Sequence, residues 1–88
     1  MTLKQLRKQI DRIDHRLLRL LNKRASLALR VGEVKKRHGH PVFDGGREAE
    51  IIRRLTRTNP GPFPARSIQE IFRAIVRNSR RLVASAKK

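Results

Sequence analysis

Cysteine, tryptophan and tyrosine are absent from this 88-residue chain, acids are scarce, and no apolar run is long. Without cysteine there is no disulfide and no thiolate zinc site. Of the three histidines, His15 reads as a solvated helix residue, while His38 and His40 flank a glycine with no third ligand nearby, so no metal is expected. Phenylalanine is the only aromatic, with three copies, which leaves little to stack on bases. No stretch approaches the roughly 20 apolar residues needed to cross a bilayer, and Met1-Thr2-Leu3-Lys4-Gln5 does not open a signal peptide. A cytoplasmic protein without a membrane partner is the expectation. Nor is there a strand pattern, a glycine-rich phosphate loop, or a nucleophile beside a matched base.

Positive charge is what the chain has in excess: 23 Lys+Arg against 7 Asp+Glu, a formal net charge of +16. Such a balance attracts any polyanion and speeds encounter with small anionic substrates. On charge alone a nucleic-acid binder and a small-anion protein are equally open. The basic residues are, however, spread around the whole chain rather than gathered on one face or tail, which weighs against nucleic acid.

The most informative pattern is a heptad seam. Leu3, Leu6, Ile10, Ile13, Leu17, Leu20, Arg24, Leu27, Val31 and Val34 follow at alternating steps of three and four, the repeat of a long helix packed on other helices. Arg24 is its only charge. A guanidinium at a core position cannot shed its proton, so it calls for an anionic partner. A capping box of Thr2 and Gln5 starts the helix, which is expected to run to about Arg37. Residues 3–37 would span roughly 52 Å at 1.5 Å per residue, whereas a compact 88-residue globule is about 30 Å across. The helix must overhang its own globule, leaving most of the seam for a second copy, and a symmetric dimer is the simplest closed arrangement. Gly32, inside the helix, predicts close approach of another backbone or a ligand.

A break at His38-Gly39-His40-Pro41 and an N-cap at Asp44 predict a second helix over Gly45–Thr58, with Ile51, Ile52 and Leu55 apolar. Asn59-Pro60-Gly61-Pro62-Phe63-Pro64 reads as a rigid turn before a third helix over Ala65–Ala84. Ile68, Ile71, Phe72, Ile75, Val76, Ser79, Leu82 and Val83 form its stripe, with Ser79 the polar interruption. The whole chain, 1–88, is thus one all-α domain of three helices: one long, one short and one of medium length.

Lys35 lies eleven positions after Arg24, which brings both to one helix face about 20° apart, with the small Ala28, Val31 and Gly32 between them. Lys35 reads either as a ligand-binding cation or as a solvated residue at the end of the helix. Arg7, seventeen residues before Arg24, is about 100° out of line and cannot serve the same side of its own helix, though in an antiparallel dimer it could reach a partner's site. Asp44, Arg47 and Glu48 read either as a cap with a first-turn acid or as a carboxylate-binding arginine beside two acids that orient it or accept hydrogen bonds from a hydroxyl.

Leu6-Arg7-Lys8-Gln9-Ile10-Asp11-Arg12-Ile13-Asp14, Leu17-Leu18-Arg19-Leu20-Leu21-Asn22-Lys23-Arg24, Val31-Gly32-Glu33-Val34-Lys35 and Pro41-Val42-Phe43-Asp44-Gly45-Gly46-Arg47-Glu48 together resemble the all-helical AroQ class of chorismate mutases. Asn59-Pro60-Gly61-Pro62-Phe63 and Ile71-Phe72-Arg73-Ala74-Ile75 look most like mutase domains fused to prephenate dehydratase or to the first synthase of the shikimate pathway. The resemblance implies an intertwined homodimer with two sites and rearrangement of chorismate, a dianion, to prephenate without a cofactor, in phenylalanine and tyrosine biosynthesis. It implies that Arg7 enters the partner's site, that Arg24 and Arg47 hold substrate carboxylates, and that Lys35 donates to the ether oxygen, with Arg24 and Lys35 the catalytic pair. Asp44 and Glu48 would face the ring hydroxyl, and Ser79 a carboxylate or hydroxyl.

One position departs. Where the family usually has Gln or Glu four residues after the serine, this chain has Val83, which cannot hydrogen-bond. Slow turnover is the expectation. The alternatives are a catalytically weak regulatory domain of a shikimate-pathway enzyme, an isochorismate pyruvate lyase and, outside the class, a basic nucleic-acid-binding protein. The Asp44-Gly45-Gly46-Arg47-Glu48 segment favours the mutase over the lyase.

Overall fold

The computed structural model describes residues 1–86 and contains three helices: α1 (Leu3–Arg37), α2 (Gly45–Thr58) and α3 (Ala65–Ala86). Helix α1 begins where its capping box predicts. The Gln5 N–H donates to the Thr2 hydroxyl at 3.1 Å and the Thr2 N–H donates to the Gln5 side chain at 2.8 Å. Three basic residues, Lys35, Lys36 and Arg37, occupy its last turn, where they face the negative end of the helix dipole. Asp44 caps α2, its Oδ1 accepting from the Arg47 N–H at 3.0 Å. Helix α3 continues two residues beyond the expected Ala84, because neither Gly nor Pro follows to stop it.

Between α2 and α3 the Asn59 side chain ties the turn together. Its amide donates to the Phe63 carbonyl at 2.7 Å and its oxygen accepts from the Gly61 N–H at 3.1 Å. Gly61 has φ 76°, a left-handed conformation that glycine adopts without strain.

Helix α3 packs against both other helices, while α1 and α2 do not pack on each other. The result is an elongated molecule of 55 × 26 × 15 Å with a radius of gyration of 16.1 Å, against about 12 Å for a compact chain of this length. Its core is small: Ile51, Val76 and Val83 are the buried hydrophobic residues among those described. The nine apolar seam residues of α1 remain 43 to 63% exposed. Helix α1 therefore overhangs the rest of the chain, as its length requires.

Gly32 sits where α1 meets α3. A Cβ built on it would lie 2.6 Å from Val83 Cγ1, so the expected close approach exists. It is made by a valine side chain rather than by another backbone, while Gly32 also lines the cavity described below.

Candidate active site

Three elements converge on one cavity of about 310 Å³. Helix α1 contributes Arg24, Leu27, Ala28, Val31, Gly32 and Lys35, α3 contributes Val76, Ser79, Arg80 and Val83, and the loop and first turns of α2 close the third side. Of the residues singled out from the sequence, Arg24, Lys35, Asp44, Arg47, Glu48, Ser79 and Val83 all line it. Arg7 does not. It is exposed on the first turns of α1, roughly 25 Å along the axis from Arg24.

The two polar interruptions of the apolar stripes meet. Arg24 Nη1 donates to Ser79 Oγ at 3.0 Å, and the Ser79 hydroxyl donates in turn to the Ile75 carbonyl at 2.9 Å. Ser79 thus spends its proton on its own helix and its lone pair on Arg24, which fixes the guanidinium and leaves its other N–H groups available. Lys35 is similarly tethered, with Nζ donating to the Val42 carbonyl at 3.3 Å and so joining the end of α1 to the loop before α2. Both cations are half-buried. Among the described residues, neither has a carboxylate within 4 Å.

Of the two readings of Asp44, Arg47 and Glu48, the structure shows the cap: Asp44 is the N-cap of α2 and Glu48 lies in its first turn. Asp44 and Glu48 do not orient the Arg47 guanidinium, because the helical spacing gives that task to Glu50, one turn on, at 2.7 Å. Asp44 instead holds the Arg47 main chain, and Glu48 lies 3.7 Å from Arg80 across the helix interface. The Arg47–Glu50 pair has side chains 56 and 44% exposed, and such a pair is worth about 0 to 1 kcal/mol, so a ligand carboxylate can displace it.

Arg80 was missed from the sequence. Its guanidinium carbon stands 4.6 Å from the centroid of the Phe43 ring, which anchors it between the loop and α3. Its spacing could have revealed it, since it lies four residues after Val76 and three before Val83, on the face those two share. With Arg80 included, four cationic and two acidic side chains line the cavity, a net of two positive charges. Val83 forms apolar wall and is 7% exposed, wedged against Gly32.

Fold and site together define a small all-helical domain with a net-cationic cavity at the junction of its three helices. The chain belongs to the family of chorismate mutase type II, whose sequence pattern matches residues 6–84. It is 46% identical over 78 residues to the bifunctional chorismate mutase/prephenate dehydratase of Aquifex aeolicus, covering 84% of this chain and 22% of that one. It is also 43% identical over 53 residues to a chorismate mutase of Methanocaldococcus jannaschii, covering 60% of this chain and 54% of that protein. The chain thus spans about a fifth of the length of the bifunctional relative. A solved chorismate mutase structure from Thermus thermophilus superposes with a TM-score of 0.86 at 39% identity, covering 88% of this chain and 96% of that one.

Proposed function

We propose that the chain rearranges chorismate to prephenate, within an intertwined homodimer. The observation that carries this reading is the cavity in which Arg24 and Lys35 stand half-buried with no protein carboxylate on either. A surplus of two positive charges complements a doubly negative substrate.

The rearrangement is unimolecular and pericyclic, so it needs no nucleophile and no proton relay. Restraint of the reactive conformer and fixed positive charge beside the breaking C–O bond are sufficient. Arg24, held by Ser79, and Arg47, released from Glu50, pair two-pronged with the two carboxylates. Lys35, a compact charge fixed by the Val42 carbonyl, donates to the ether oxygen as negative charge develops there. Asp44 and Glu48 face the ring hydroxyl. Ser79 acts through Arg24, since its own proton is committed to Ile75. The apolar Val83 supplies no second donor.

The bare seam of α1 supports the dimer. A second copy laid antiparallel along it would cover those residues and bring its Arg7 to the cavity of the first. The bifunctional relatives carry a second catalytic activity by name, and a partner enzyme of the same pathway is part of this reading. So is a cytoplasmic site of action. No helix among the described residues is long and apolar enough to cross a membrane.

Loss of chorismate absorbance tests the assignment, with the product identified as prephenate rather than pyruvate. Arg24→Ala removes a charge-assisted contact worth about 1.5 to 3 kcal/mol, so kcat/KM should fall about tenfold to hundredfold. A wild-type chain that leaves chorismate unchanged, or that releases pyruvate, overturns the proposal.

A further inference from the structure

A second concavity, of about 490 Å³, opens between α2 and α3 and shares no lining residue with the first. Its walls are Ala49, Ile52, Arg53, Thr56, Arg57, Gln69 and Arg73. Ile52 and Thr56 lie on the flank of α2 turned away from Ile51, which faces the first cavity, so the two openings sit on opposite sides of the α2–α3 interface.

Charge pairing on these two helices is uneven. Arg47, Arg54, Arg66 and Arg80 each lie within 4 Å of a glutamate. Those pairings engage Glu48, Glu50 and Glu70, which are all the acids that α2 and α3 possess. Arg53, Arg57 and Arg73, the arginines of the groove, have no carboxylate within that distance among the described residues, and neither do Arg77 and Arg81 elsewhere on α3. Arg53 and Arg57 also stand at i,i+4, as do Arg73 and the neighbouring Arg77, a spacing at which like charges weaken a helix. An anion bridging α2 and α3 would relieve this repulsion, because the three exposed arginines that line the groove beside Ala49 and the half-buried Ile52 offer guanidinium forks suited to the many oxygens of linked phosphates. Gln69, half-buried at the edge, adds an amide donor.

We propose that this groove binds a small polyanion carrying two or more linked phosphate groups, independently of the chemistry in the first cavity. The groove is open to solvent and its three arginines are exposed, so a small ligand can reach it directly.

Calorimetric titration with tripolyphosphate tests this at near-physiological salt, where long-range attraction to a +16 chain is largely screened. Wild type is compared with a groove variant, Arg53→Ala/Arg57→Ala/Arg73→Ala, and with a charge-matched control, Arg12→Ala/Arg19→Ala/Arg30→Ala, whose residues are exposed on α1. The expected result is at least tenfold weaker binding in the groove variant, less than threefold in the control, and unchanged helicity by circular dichroism in both. Equal weakening in both variants would show diffuse attraction and overturn the proposal, as would unaltered binding in the groove variant. Duplex DNA that displaces tripolyphosphate and depends more steeply on salt would make the groove a nucleic-acid surface, and would overturn it too.

Discussion

The two halves of α1 follow one heptad and meet different fates. From Arg24 to Lys35 the helix is roofed by α3 and by the loop before α2, and its polar positions have partners at Ser79 and Val42. From Leu3 to Leu20 the same repeat presents leucines and isoleucines to water. Leu27, Val31 and Val34 of the second half are exposed to a similar degree, so the halves differ at their polar and small positions rather than along the seam itself. One helix therefore has two kinds of surface: the second half shapes a cavity within the chain, and the first half is the face on which the proposed second copy would lie. The heptad states only that a partner helix is needed. Which half finds it internally depends on where α3 happens to lie.

The largest effect should come from spoiling the bare half. Leu17→Asp places a carboxylate on the seam, and burying it unpaired costs several kcal/mol, counted twice across a two-fold axis. If the proposed pair forms along the seam, sedimentation equilibrium should show dimers for the wild type and monomers for this variant, and turnover should be lost with the dimer. A fully active, dimeric Leu17→Asp chain would mean that the seam is not the interface.

In the roofed half, Lys35→Ala should leave the assembly and the melting temperature almost untouched. Turnover should fall about a hundredfold to a thousandfold, the usual loss when one donor to a developing oxyanion is removed. Steady-state kinetics with the oligomer monitored in parallel separates this outcome from the first.

The smallest effect lies at the boundary where α3 touches α1. Gly32→Ala gains about 1 kcal/mol of helix propensity but forces Val83 aside, and overpacking costs typically about 1 to 3 kcal/mol, so a net loss of about 1 kcal/mol is expected by urea denaturation. Adding Val83→Ala should remove that penalty, so that the Gly32→Ala step in the Val83→Ala background becomes neutral or favourable. If the step costs the same in both backgrounds, the close approach is not its cause.

Helix starts were legible because their signals are local. Thr2 with Gln5, and Asp44 with the Arg47 N–H, are decided within four residues. The end of α3 carries no stop signal, and the helix runs two residues past its expected end. Convergence of Arg24, Lys35, Asp44, Arg47, Glu48, Ser79 and Val83 on one cavity followed from motif spacing together with family resemblance. The pairings inside it did not. Whether Arg47 turns to Glu50 or Glu48, and whether Lys35 finds a main-chain carbonyl, depends on how flexible side chains settle once the loop and α3 are in place. Arg80 was overlooked for a related reason. A charged residue at the edge of an apolar stripe reads as solvent-facing until a ring such as that of Phe43 is seen to hold it. Gly32 gave a correct sign of crowding, but the neighbour is a side chain rather than a backbone, since helical spacing does not say what presses on a face.

The uncovered leucines and isoleucines also bear on how much of the protein must be present for it to persist. If the folded form exists only as a pair, its melting point rises with chain concentration, and dilution alone can unfold it. A cell making few copies would then lose stability and activity together, and newly made chains would stay open to proteases until each met its twin.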